Sequence, residues 1–148
     1  MLFLFFETSA GRYALDSQNI VEIIPLVRIK KMPAVPLFVA GIINFRGEPV
    51  PVIDLCALAS GVPCKPLYST RIILVHYPLA DQVKIVGLIA ERATDVAKGS
   101  KTGRAAGILI RDDATRLRAD KTDNEEMVQW FDIPRMIPED IVRSLFPD

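Results

Sequence analysis

The chain has 148 residues, half of them apolar, and a formal net charge of zero. That apolar share supports a sizeable core, in one domain or two small subdomains, and excludes a disordered chain. The charge balance excludes a general pull toward nucleic acid or an anionic membrane, and no apolar run is long enough to span a bilayer.

The opening "MLFLFF" has no basic flank and stops at Glu7, so it reads as a strand rather than a signal peptide. A cytoplasmic protein without membrane insertion is expected. "GRYALD" follows the turn-like "TSAG" and completes a hairpin. "NIVEIIPLVRIKKMP" is β-branched and broken by Pro25, which has no N–H for a ladder bond and marks a strand end or edge. "PLFVAGIINFRG" is an apolar run closed by Gly47, and "EPVPVIDL" is a strand that tolerates proline near its start. "CALASG" predicts one helical turn ending at Gly61.

Cys56 and Cys64 do not form a C-x-x-C pair. Reduced thiols are expected for them, with too few further ligands for zinc. "TRIILVHYP" and "VKIVGLIAE" are further strands, and "ATDVAKG" alternates briefly. Lys98–Gly107 reads as a mobile loop rather than a phosphate cradle, because it lacks a strand–loop–helix setting. Asp112 and Asp113 are adjacent and read as turn residues rather than paired acid–base carboxylates. "MVQWFDIP" supplies a last strand. "PEDIVRSLF" predicts an amphipathic helix over 138–146, with proline first, acids in the first turn and Ile141, Val142, Leu145 and Phe146 on one side.

The chain repeats its own pattern. Tyr13–Ile23 and Val86–Val96 match in character, as do "PVIDLCAL" and "QWFDIPRM", which align Asp54 with Asp132. Each half opens on an apolar strand. A duplicated unit of about five short strands removes its edges by curling into a barrel. The predicted fold is therefore all-β, with two small five-stranded barrels packed together and a short C-terminal helix. The first subdomain is expected over about 13–70 plus the terminal segment, and the second over about 71–137. The N-terminal strand has room to exchange between them.

Catalytic chemistry is hard to assemble from this sequence. The single histidine, His76, sits on a strand where it faces out or lies in the core with its ring satisfied, and neither cysteine has a base beside it in sequence. No nucleotide-binding glycine motif appears. No enzyme activity and no metal or other cofactor is expected. One other reading is a small barrel that binds anions or nucleic acid through residues 98–121. That span holds seven basic residues against three acids, without the interleaved aromatics of single-strand binders.

"AGIINFRGEPVPVIDL" raises the question of an arginine and a glycine between two buried strands. Gly47 points to a tight turn, Asn44 tolerates turn geometry, and Arg46 belongs at a rim with a carboxylate partner or in water. The stretch resembles the signature of the CheW family of chemosensory adaptors, at Gly41, Asn44, Arg46, Gly47, Pro51, Val52, Ile53, Asp54 and Leu55. The order of the flanking strands agrees from about Leu2 to Val96, and the last third departs from the family pattern.

The resemblance implies two five-stranded SH3-like barrels and a non-catalytic scaffold. It implies two partners, the regulatory domain of a CheA-type histidine kinase and the cytoplasmic tip of a chemoreceptor, with self or ring assembly and recruitment to membrane-associated arrays. By position, Ile20, Glu22, Arg46 and Gly47 become kinase-contact candidates, with Glu22 and Arg46 as an ion pair. Asn44, Gly87, Ala93 and Val96 become receptor-contact candidates. Gly87, Ala93 and Val96 read equally well as core packing.

Overall fold

The two most apolar runs become strands buried on both faces. In β1 (Leu2–Thr8), Phe3 and Phe5 point into one cluster with Ala14, Ala97 and Val128, while Leu4 and Phe6 point the other way. In β6 (Arg71–Pro78), Ile72 and Leu74 point into a cluster with Ile43, Val50 and Val52, while Ile73, Val75 and Tyr77 join Leu4 and Phe6. Strand side chains alternate between faces, so a strand with a core on each side reads as an unbroken apolar run. His76, flanked by inward-facing Val75 and Tyr77, is exposed.

The computed structural model describes residues 2–102, 108–111 and 128–146. The other strands among them are β2 (Gly11–Asp16), β3 (Ile20–Pro25), β4 (Val39–Phe45), β5 (Glu48–Asp54), β7 (Val83–Thr102), β8 (Ile108–Arg111) and β9 (Val128–Trp130). The helices are α1 (Leu55–Ser60), α2 (Ile133–Met136) and α3 (Glu139–Ser144). The first barrel runs β3–β6–β7–β5–β4. It closes where Lys30 and Ile42 exchange N–H to carbonyl bonds of 2.9 and 2.8 Å. The second runs β1–β2–β9–β8–β7 and closes as β7 pairs with β1. This is the all-β, two-barrel architecture predicted from the sequence.

Strand β7 serves both barrels. Its first half pairs with β6 and β5, and its second half with β1 and β8. The crossing is marked by Arg92 at φ 50° and a register shift against Phe5–Glu7. Arg92 Nε lies 3.2 Å from Glu7 Oε1 at that bend. At the matching place in the first half, a 3-10 turn at Ser17–Asn19 separates β2 from β3, with Asp16 accepting the Gln18 N–H at 2.9 Å.

The two halves are related by an internal exchange. The β1–β2 hairpin sits with β8 and β9, and β6 with the start of β7 sits with β3, β4 and β5. Both parallel pairings, β2 with β9 and β5 with β7, join a second strand of one half to a last strand of the other. The expected division at residue 71 is therefore corrected. Arg71–Pro78 pairs with β3 and belongs to the first barrel, whereas Gly11–Asp16 belongs to the second. Lys98–Thr102, expected as loop, continues β7. Residues 103–107, and Asp112 and Asp113 with most of the remaining basic segment, lie outside the described residues.

The cluster between the barrels repeats the sequence symmetry in its side chains. Ile53 and Leu55, their counterparts Phe131 and Ile133, and the pair Leu15 and Leu88 are all buried in it. Phe131 stands edge-on to Phe6 and Tyr13, with centroids 5.5 and 5.6 Å away. Val142 of α3 is buried in the same cluster, and Phe146, just past the end of that helix, packs against it.

Tyr77 ties the first barrel to the C-terminal helices, its hydroxyl donating to the Ile137 carbonyl at 2.6 Å in full burial. Burial, then the nearby charges of Glu139 and Asp140, push this phenol above its ordinary 10.0. The folded state thus favours the neutral ring. Its contribution is complete below about pH 10 and is lost as pH rises through the raised value. Tyr77→Phe should cost about 1–3 kcal/mol at neutral pH, because the Ile137 carbonyl loses its buried donor. In urea titrations the difference between wild type and variant should shrink above about pH 10. A difference that grows with pH would contradict this reading.

Candidate functional site

The β4–β5 hairpin turns on two residues, with Phe45 opposite Glu48. Both turn residues have positive φ, 53° at Arg46 and 83° at Gly47. That is the type I′ pattern, whose twist matches a β-hairpin. Glycine adopts it freely, but a side chain in the left-handed region costs about 1–2 kcal/mol. The Asn44 side-chain oxygen accepts the Gly47 N–H at 2.8 Å and stitches the turn. Asn44 therefore belongs to the same surface as Arg46 and Gly47.

Arg46 Nη2 donates to Glu22 Oε1 at 2.8 Å, joining the hairpin to β3. The two side chains are 72% and 40% exposed, so the pair stabilises by no more than about 1 kcal/mol. The guanidinium also lies 4.7 Å from the centre of the Phe45 ring, a contact of about 0.5–1 kcal/mol at an exposed site. These contacts roughly offset the strain. Glycine at this position would give the same turn without strain and asparagine with less of it, so turn formation does not account for an arginine. Ile20, half-buried at the start of β3, packs against the cluster between the barrels. Phe45 was not singled out from the sequence. Its place beside an arginine in a two-residue turn is the signal that could have found it.

The remaining receptor-contact candidates separate. Gly87 is buried inside the first barrel, where an added Cβ would lie 3.0 Å from Ile72 and 3.2 Å from Val52 side-chain atoms. Ala93 is 2% exposed in the cluster between the barrels. Both are buried rather than lining an open groove, and at Gly87 the neighbouring side chains leave little room for a Cβ. Val96 is 52% exposed on β7, with Leu2, 47% exposed, on the neighbouring strand.

A second polar cluster lies at the start of α1. Asp54 is buried, and its oxygens accept the N–H groups of Ala57 and Cys64. Cys56 and Cys64 are joined as a disulfide, which corrects the expectation of reduced thiols. Eight residues of separation allowed the bond, and the turn after α1 brings the two Cα atoms to 5.0 Å. The ligand atoms of Asp54, Cys56 and Cys64 all lie within 4.8 Å of one another. With the sulfurs bonded to each other, the cluster as it stands offers a metal no thiolate.

Residues 2–140 match the CheW-like domain family, so the match continues through the last third of the chain, past the decay expected after Val96. The chain is 28% identical over 91 residues to a probable chemotaxis protein CheW of Rhizobium etli, covering 62% of this chain and 56% of the relative. The match thus spans little more than half of that relative's length. The fold superposes on a crystal structure of the scaffolding protein TtCheW from Thermoanaerobacter tengcongensis with a TM-score of 0.65 and 25% identity, covering 89% of this chain and 84% of that one. Among the described residues, no helix is long and apolar enough to cross a membrane.

Proposed function

The chain belongs to the CheW-like domain family, and on that premise we propose that it is a non-catalytic adaptor of a chemosensory array. It holds the regulatory domain of a CheA-type histidine kinase and the cytoplasmic tip of a chemoreceptor in fixed relation, at arrays on the inner side of the membrane. The observation that carries the reading is Arg46, an exposed arginine kept in a strained turn and braced by Glu22. The kinase contact uses this hairpin and the adjoining β3, with Ile20, Glu22, Arg46 and Gly47 at its centre. The receptor contact uses the apolar surface at Val96 and Leu2, while Gly87 and Ala93 pack inside the fold. Several weak surfaces suit such a part, because multivalent assembly amplifies each of them. A shift in the receptor then biases the kinase through differential contact with two states.

The test is a titration against the regulatory domain of a CheA-type kinase from the same organism. Wild type is expected to bind, Arg46→Glu about tenfold or more weakly, with an unchanged circular dichroism spectrum and unfolding midpoint within about 1 kcal/mol. Arg46→Asn keeps the turn and should bind weakly too. Wild-type failure to bind would remove the adaptor reading. Binding unaffected by either substitution would leave Arg46 as a turn residue only.

A further inference from the structure

Asp54 positions both cysteines at once. It accepts the Ala57 N–H at 3.0 Å, which sets the turn carrying Cys56, and its two oxygens accept the Cys64 N–H at 3.2 and 3.1 Å. The Cα separation of 5.0 Å lies within the span a disulfide requires. The same pocket also suits the reduced state. Glu91 Oε2 lies 3.7 Å from Cys56 Sγ, and the Ile89 carbonyl oxygen lies 3.5 Å from Cys64 Sγ. When the bond is broken the two sulfurs must move apart to ordinary contact distance, and each thiol then has an acceptor close to where it starts. A permanent bond has no use for either. Glu91 is itself held in place by the Lys65 N–H at 2.7 Å. Cys56 is buried, and Cys64, half-buried in the exposed segment after α1, is the one of the two nearer to solvent.

We propose that Cys56 and Cys64 form a reversible disulfide that exchanges with a low-molecular-weight thiol such as glutathione. The thiolate of the small thiol attacks Cys64 Sγ. The Cys56–Cys64 bond breaks, and Cys56 leaves as a thiolate that takes a proton from water and donates it toward Glu91. A second small thiolate attacks the small-molecule sulfur of the mixed disulfide. Cys64 leaves, is protonated and donates to the Ile89 carbonyl, and the small disulfide departs. Two electrons pass from two small thiols to the protein, and the small disulfide is the oxidant in reverse.

The experiment uses the full chain, equilibrated without oxygen in glutathione buffers of varied composition. Samples are quenched in acid, alkylated in urea and weighed by mass spectrometry. Both cysteines should pass together from protected to alkylated over about a hundredfold change in the ratio of squared GSH to GSSG concentration. The midpoint should be the same when approached from either side. A pair that stays protected in GSH alone is a permanent bond and overturns the proposal. So does a pair that is never protected, or a reduced protein that retains zinc mole for mole after dialysis.

Discussion

Gly41→Ala is expected to lower the unfolding free energy by about 3–5 kcal/mol, the largest single-residue effect argued for this chain. Gly41 sits at φ +143°, beside the Lys30–Ile42 bridge that closes the first barrel. A Cβ there would stand 2.1 Å from the Lys30 carbonyl oxygen and 2.9 Å from Cγ2 of Ile29. The obstacle is backbone, which has no rotamer to change. Relief requires the Lys30 segment to withdraw, breaking the two bonds that close the ring and exposing the edge of β4. Gly11 is the control, because it has a similar φ of +137° but nothing within 4 Å of its added Cβ. Gly11→Ala should show the backbone strain alone, about 1–3 kcal/mol. The check is a pair of urea titrations with equal slopes, compared by midpoint. Equal losses for the two variants would mean that the close approach at Lys30 contributes nothing.

Much of this was legible because it depends on local pattern. The "TSAG" turn, the turn at "NFRG", the end of β3 at Pro25 and the helical turn before Gly61 are each set by backbone chemistry within a few residues. The apolar runs of β1 and β6 announced strands, and the structure shows a core on each side of them. What was not legible is partner choice. Arg71–Pro78 looks like the start of a new barrel, and nothing in its own alternation says that it pairs with β3 across fifty residues of chain. The same limit hid the roles of Gly87 and Ala93. A small residue fits an approaching helix and a crowded core equally well, and only the positions of Ile72 and Val52 around Gly87 and the burial of Ala93 decide between them. The bond between Cys56 and Cys64 is not legible either, because a spacing of eight residues does not state a distance.

The exchange of hairpins bears on the proposed role. In a chain of two barrels joined by a linker, the barrels could rock independently. Here β7 runs unbroken through both, and the shared cluster of Leu15, Ile53, Leu88 and Phe131 fills the space between them. Side chains packed at interior density transmit displacement rather than absorb it. A part built this way suits the task of keeping the Arg46 hairpin and the Val96 surface at a fixed separation.

Asp54→Ala is expected to cost about 2–4 kcal/mol, while Asp132→Ala, at the matching position of the repeat, should stay within about 0.5 kcal/mol of wild type. Asp54 ends the last strand of its half and Asp132 comes just after the last strand of the other, and each is the residue before a helix. Asp54 is buried and accepts the Ala57 N–H, capping α1, and the Cys64 N–H, anchoring the chain after it. Its loss removes a cap and leaves a second N–H without its acceptor. Asp132 is exposed and makes no side-chain cap bond. Pro134 follows two residues later and has no N–H to offer, and the Arg135 N–H goes to the Asp132 backbone carbonyl at 3.1 Å. The backbone has taken over what the side chain does in the other half. Asp54→Asn keeps one acceptor oxygen and should fall between the two. Thermal unfolding of the three variants under oxidising conditions decides the point. Equal costs at Asp54 and Asp132 would show that the cap and the anchor contribute little. Because Asp54 stabilises the first barrel from the end of β5 away from the Arg46 turn, folded Asp54→Asn should still bind the kinase domain like wild type, which separates loss of stability from loss of the contact surface.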